Sequence, residues 1–172
     1  LLQSADDRAG ALGFGLSSTP PAPRRKFNRT LDLAKLQGVG DALVRDEDVG
    51  GTSANEQIEG LLLLGTSMGG ARPKAVAEDD DGLWLAKFNR TDDPWNCARV
   101  EHAMLVLART CGIKAAQSKV VQIGRRDVLL VKRFDREKTK HGYRRARMVS
   151  ALTLLRAQDS HLDREKWSYV SL

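Results

Sequence analysis

Lys74 to Phe88, KAVAEDDDGLWLAKF, is the stretch that decides the fold. Two runs rich in strand-forming residues flank an acidic cluster that ends in glycine. That pattern predicts a β-hairpin with a strand near Pro73 to Ala77, a turn at Asp79 to Gly82 and a second strand from Leu83 to Phe88. Lys87 then lies inside the second strand. Directly upstream, GTSMGGARPK (Gly65 to Lys74) places three glycines within six residues, after the apolar run Leu61 to Leu64. Glycine adopts dihedrals closed to other residues and puts no side chain in the way, so the N–H groups of such a loop can converge on phosphate oxygens.

Downstream of the hairpin, Asp93-Pro94 offers a cap followed by proline at the first helical position, and predicts a helix running to about Thr110. Its apolar positions Val100, Ala103, Met104, Leu107, Ala108 and Cys111 follow an i, i+3, i+4, i+7 spacing, which assigns that stripe to the core, and Gly112 follows as the stop. SKVVQI (Ser118 to Ile123) and DVLLVKRF (Asp127 to Phe134), joined at Gly124 to Arg126, form a second predicted hairpin. The charged EKTKHGYRRAR reads as an exposed connector, and MVSALTLLRAQ, from Met148, resumes a helical pattern. The order hairpin, helix, hairpin, helix predicts an α+β fold: an antiparallel sheet carrying one packed helix.

Upstream the signals are weaker. Leu1 to Arg25 is rich in Gly, Ser, Ala and Pro and reads as a strand at Ala11 to Leu16 followed by a proline-stiffened loop. Leu31, Leu33, Leu36, Val39 and Leu43 fit a helical stripe over Leu31 to Val44, interrupted by Gly38 and Gly40. Ser53-Ala-Asn-Glu56 has the spacing of a capping box, in which the serine and glutamate satisfy each other's unpaired backbone donors, and predicts a helix from about Ala54 to Leu63. Lys-Phe-Asn-Arg-Thr occurs at Lys26 to Thr30 and again at Lys87 to Thr91, but the flanks differ and no repeat follows from it.

With 172 residues, 41% of them hydrophobic, the chain can bury one core of ordinary size and not two large ones. Its 28 Lys and Arg against 22 Asp and Glu, a net +6, favour anionic partners such as phosphates, nucleotides or nucleic acid. Cys97 and Cys111 fall in one predicted helix, about 21 Å apart at roughly 1.5 Å per residue, too far for a disulfide. Free thiols and the lack of a signal sequence point to a reducing, cytoplasmic setting. The longest apolar run, Ala103 to Ala108, is far short of the roughly 20 residues of a membrane span. His102, His141 and His161 show no metal-ligand spacing and read as surface residues. The chain opens on Leu1 rather than methionine and closes on SYVSL, which leads to the expectation of a fragment.

The glycine loop fits neither common phosphate motif. Gly65 and Gly70 have P-loop spacing, but Ala71 stands where lysine is needed and a hairpin follows instead of a helix; G-x-G-x-x-G is absent. The kinase arrangement remains, in which a lysine on a strand after the loop pairs with nucleotide phosphates and with a glutamate on the next helix. Lys87 and Glu101 stand in that order.

GTSMGGARPKA, LWLAKF, VEHAMLVLARTCGI, VLLVKRFDR and MVSALTLL, in this order and spacing, resemble the HipA family of serine/threonine protein kinases, the toxins of type II toxin–antitoxin modules. The resemblance covers roughly Thr52 to Leu172. It implies a protein-kinase-like N-lobe preceded by the end of a small β-containing subdomain: 1–25 the end of that subdomain, 26–64 linker helices, 65–145 the N-lobe, and 146–172 the start of a helical C-lobe. It implies ATP and Mg²⁺ as cofactors of the full-length protein. Gly69, Gly70, Ala71, Arg72, Pro73 and Lys74 match the nucleotide loop. Lys87 matches the phosphate-contacting lysine, with Glu101 as its partner. Lys132, Arg133 and Phe134 match the hinge beside the adenine, and Ser67 the serine whose autophosphorylation silences the family's kinases. The implied partners are a protein substrate (in the family, components of translation, notably aminoacyl-tRNA synthetases), a HipB-like helix-turn-helix antitoxin, and DNA mainly through that antitoxin; no membrane is implied. The chain departs from the family in having no D-x-H-x-x-N motif, so as it stands it lacks the residues that phosphoryl transfer requires. The alternative from another class is a non-catalytic module that binds protein or nucleic acid through the basic run Lys132 to Arg147.

Overall fold

The hairpin forms where the sequence places it. The structure is a computed structural model and describes residues 8–12, 28–29, 33, 74–90, 92–158 and 160. Strands β2 (Lys74–Asp79) and β3 (Gly82–Phe88) pair antiparallel, with Lys74 opposite Lys87 and Asp79 opposite Gly82. Two residues, Asp80 and Asp81, make the turn. Gly82 has φ +126°, a value closed to L side chains, while Asp79 Oδ1 accepts from the Asp81 N–H at 2.9 Å and from Trp84 Nε1 at 2.7 Å. β3 pairs antiparallel with β5 (Arg126–Lys132), and β5 with β4 (Ser118–Ile123). A short strand β1 (Asn28–Arg29) joins β2 in parallel, so the order is β1-β2-β3-β5-β4. The fold is α+β, with one parallel edge on an otherwise antiparallel sheet.

Alternation along the strands divides the sheet into two faces. Ala75, Ala77, Trp84, Ala86, Phe88, Val128 and Leu130 project to one side and form a buried cluster with Leu33, against which Val121 and Ile123 pack. Leu33 is helical and fully buried, and belongs to the stripe expected over Leu31 to Val44. The other face carries Val76, Leu83 and Leu129, all buried, together with Lys74 and Lys87. Helix α1 (Cys97–Thr110) packs against β4 and β5.

Two expectations about α1 are corrected. Its N-cap is Asn96 rather than Asp93, whose carboxylate instead accepts from the Arg90 N–H at 2.8 Å. The stripe assigned to the core is exposed: Val100 is 50%, Met104 60% and Leu107 54% accessible, Cys111 is exposed, and Ala98 is the buried residue of the helix. Ala98, Glu101, His102 and Leu105 form the inward row instead. This row also has i, i+3, i+4, i+7 spacing, but starts two residues earlier, roughly 200° around the helix at 3.6 residues per turn. Polar contacts, described below, set that rotation against the apolar pattern. The stop is as expected: Gly112 has φ +80°, and its N–H and that of Ile113 bond back to Arg109 O and Ala108 O.

The charged segment read as a connector is a hairpin, β6 (Arg136–Thr139) and β7 (Gly142–Arg145), forming its own two-stranded sheet. Its ladder is made by backbone groups and both of its faces are largely polar, so no apolar alternation betrayed it. It leans on the first hairpin: Tyr143 Oη donates to Glu78 at 2.7 Å, and Lys138 Nζ to the carbonyls of Asp79 and Asp80 at 3.3 and 3.0 Å. The last helix, α2 (Ala151–Leu155), is capped by Ser150 and shorter than its pattern. Arg8 to Leu12 is irregular, so the strand expected from Ala11 is not formed at its first two residues. The rest of that strand, the helix expected at Ala54 to Leu63, Ser67 and the loop Gly65 to Pro73 lie outside the described residues. Among the described residues no helix is long and apolar enough to cross a membrane.

Candidate functional site

β3 carries Lys87 on the helix-facing side of the sheet, and α1 brings Glu101 to it, with Lys87 Nζ donating to Glu101 Oε1 at 2.5 Å. The side chains are 28% and 42% accessible, so the pair adds less than about 1 kcal/mol to stability, as exposed ion pairs do. What it fixes is the position of an ammonium group. Lys74 stands directly opposite Lys87 on β2, which puts two cationic side chains on one patch of sheet. Beside the pair opens a pocket of about 210 Å³ lined by Lys87, Phe88, Trp95, Ala98, Val100 and Leu129, with Glu101 on its wall.

The first turn of α1 is held by a polar cluster that the sequence did not announce. Asn89, just past β3, accepts the Ala98 N–H on Oδ1 at 2.9 Å and donates from Nδ2 to Asn96 Oδ1 at 2.9 Å. Asn96 Oδ1 also accepts the Arg99 N–H at 3.1 Å, so two of the helix's unpaired N-terminal donors are satisfied by side chains. Asp127 Oδ2, on β5, accepts from Asn96 Nδ2 at 2.5 Å and from Arg99 Nε at 2.6 Å. The Arg99 hydrogen bond, followed by that of Asn96, holds the Asp127 carboxyl below the usual carboxylate range. An asparagine three residues before Arg99 was the available capping signal; its bond to a residue 31 positions away was not. Further along, His102 Nδ1 and Ser118 Oγ share a hydrogen bond of 2.9 Å, which ties α1 to β4.

The segment matched to an adenine hinge is occupied differently along its length. The Lys132 N–H bonds Gln117 O at 2.8 Å, and its ammonium lies 5.8 Å from the Trp84 ring centre, on which Lys119 also sits at 4.3 Å. Phe134 is 77% accessible. The Arg133 side chain is buried and points into a clamp: Nε and Nη2 donate to the two oxygens of Asp135 at 2.9 and 2.7 Å. Arg136 Nη1 meets the same carboxylate at 2.7 Å and Gly10 O at 3.0 Å, while Arg8 O accepts from both guanidiniums at 3.0 and 2.6 Å. The Gly10 N–H completes the carboxylate's set at 2.8 Å. Burial pushes the Asp135 carboxyl up, but the Arg133 bond, the Gly10 N–H and the charges of both arginines outweigh it and hold it below its ordinary range. RFDR therefore pins the segment Arg8 to Leu12 to the end of the sheet.

A family model of the HipA-like C-terminal domain matches residues 66–172. The chain belongs to the HipA family. The match begins inside the glycine loop and takes in Lys87, Glu101 and the four residues of RFDR, so the ion pair lies wholly in the HipA-like part, while Arg8 and Gly10, which RFDR holds, precede it. No curated protein and no solved structure matches the chain significantly. Among the described residues no group of three His, Cys, Asp or Glu side chains is placed to hold a metal ion.

Proposed function

We propose that this HipA-like chain carries the ATP-binding lobe of a serine/threonine protein kinase, with Lys87 as the phosphate-contacting cation and Glu101 as the group that orients it. The observation that carries the reading is the 2.5 Å contact between a strand lysine and a helix glutamate 14 residues apart, made at a partly open site where it adds little stability. A kinase-type site needs an ammonium held rigidly at the α- and β-phosphates, and a carboxylate on the neighbouring helix supplies the hold. Lys74 adds a second cation on the same face, at the end of the glycine loop. ATP would supply the phosphoryl group when bound, with Lys87 and Lys74 as the cations that would hold it, and Mg²⁺ would accompany it as a counter-charge. Phosphorylation of a protein in the translation machinery, silencing through Ser67 and neutralisation by a helix-turn-helix antitoxin extend the same proposal to the parent protein.

The alternative of a nucleic-acid-binding basic face is less well supported. Within the run Lys132 to Arg147, Arg133 and Arg136 are buried against Asp135, Arg144 pairs with Glu137, and Lys138 is bound to backbone carbonyls of the first hairpin. Those charges are used within the fold. The test is a calorimetric titration of the chain and of Lys87→Ala with Mg-ATP. The parent should bind and the variant should lose at least about tenfold in affinity, the scale of one charge-assisted phosphate contact. Equal affinities, or a parent that does not bind, would refute the reading.

A further inference from the structure

Helix α1 is attached to the sheet with little apolar help. Of its residues Ala98 is buried and Leu105 partly so, whereas Val100, Met104, Val106 and Leu107 are exposed. Polar contacts therefore carry much of its rotational setting, and the densest set is the cluster at its first turn. Asn89 lies two residues beyond Lys87, and Ala98, whose N–H it accepts, lies three before Glu101. Asp127 closes the cluster from the neighbouring strand by holding both the cap residue Asn96 and the Arg99 side chain on one buried oxygen. Strand end, helix start and ion pair thus form one closed loop of contacts: Lys87 to Asn89 along the chain, Asn89 and Asp127 to the first turn, the first turn to Glu101, and Glu101 back to Lys87.

We propose that Asp127 is a positioning residue for the Lys87–Glu101 pair: through Asn96 and Arg99 it sets the rotation of α1 that brings the Glu101 carboxylate to the Lys87 ammonium. The functional consequence rests on the nucleotide-binding reading above; the geometric one does not. Without the Asp127 carboxylate the first turn keeps the Asn89 contacts but loses its tie to β5. The exposed apolar stripe, lying nearly opposite the inward row, then gives the helix a competing face to bury. Glu101 is carried away from Lys87, and the ammonium loses its fixed position.

The test uses zero-length cross-linking of the full chain. A water-soluble carbodiimide joins touching ammonium and carboxylate groups as an isopeptide and takes up the water released, and mass spectrometry of the digest quantifies the Lys87–Glu101 product. The Lys119–Asp79 pair, also 2.5 Å apart but within the sheet, is the internal reference. In Asp127→Ala the ratio of the first product to the second should fall about tenfold, the effect of losing a charge-assisted tie. An unchanged ratio overturns the proposal. If both products vanish the variant has unfolded, and Arg99→Met decides: its side chain is 67% accessible, so the fold survives its loss, and the ratio must still drop. Mg-ATP titration of the same proteins separates the two readings. A parent that fails to bind while the ratio falls refutes the nucleotide site and leaves the positioning role standing.

Discussion

Replacing Asp135 with alanine tests the RFDR clamp at its centre. The carboxylate is 4% accessible and accepts from Arg133, Arg136 and the Gly10 N–H, so its removal leaves two buried guanidiniums facing each other. Breaking a buried ion pair by deleting one partner costs about 3–5 kcal/mol. Here the carbonyls of Arg8 and Gly10 still accept from the arginines, which places the loss near the lower end. About 3 kcal/mol lowers the melting temperature by roughly 6–12 °C for a chain of this size. The pH profile gives a second readout. Because the folded state holds the carboxyl below its ordinary 3.8, the clamp's contribution is complete above that pH and is lost as the pH falls through the depressed value. Asp135→Ala should therefore flatten the acid limb of the stability curve as well as lower its plateau. Arg133→Ala supplies the contrast with an adenine-lining role, since the clamp requires loss of thermal stability without any nucleotide present. Calorimetric melts of Asp135→Ala at neutral pH that shift by less than about 1 kcal/mol would mean that the guanidiniums find water, and the clamp would not be what holds the N-terminal segment.

Gly10→Ala should destabilise by about 1–2 kcal/mol in a denaturant melt, because its φ of +78° lies in the left-handed region and an added Cβ would stand 3.1 Å from Met148 Cβ. Met104→Glu, at a position assigned to the core by its spacing but 60% accessible in the fold, should stay within about 0.5 kcal/mol of the parent; a loss of 2 or more would restore the core assignment.

The legible parts of the sequence were those in which one kind of force acts alone. The strands of both hairpins could be read because they are runs of strand-forming residues bounded by turn signals, and the sheet buries residues on both faces, Ala86, Phe88, Val128 and Leu130 on one and Val76, Leu83 and Leu129 on the other. Their turns could be read because Gly82 and Gly124 adopt positive φ. The order of Lys87 and Glu101 was visible as an arrangement of residues, although only the fold brings the two into contact. The β6–β7 hairpin stayed hidden because Arg136, Lys138 and Arg144 place charge on a ladder made by backbone groups, and RFDR gave no hint that Asp135 and Arg136 turn inward to hold Gly10.

Helix α1 failed for a different reason, and that failure points at the site. Two rows with the same spacing compete on its surface: an apolar one through Val100, Met104 and Leu107, and a mixed one through Ala98, Glu101, His102 and Leu105. Hydrophobic burial alone selects the first. The second wins because its members are matched one by one: Ala98 N–H to Asn89, Glu101 to Lys87, His102 to Ser118, with Asp127 fixing the turn before them. Each of these contacts is worth about 1 kcal/mol or less on its own, but together they hold a carboxylate against a cation at a point that an apolar helix face would have filled with methyl groups. A helix that gives up its best hydrophobic face to keep such a contact has the pattern expected of a functional position, where local rules yield to the geometry that the chemistry needs.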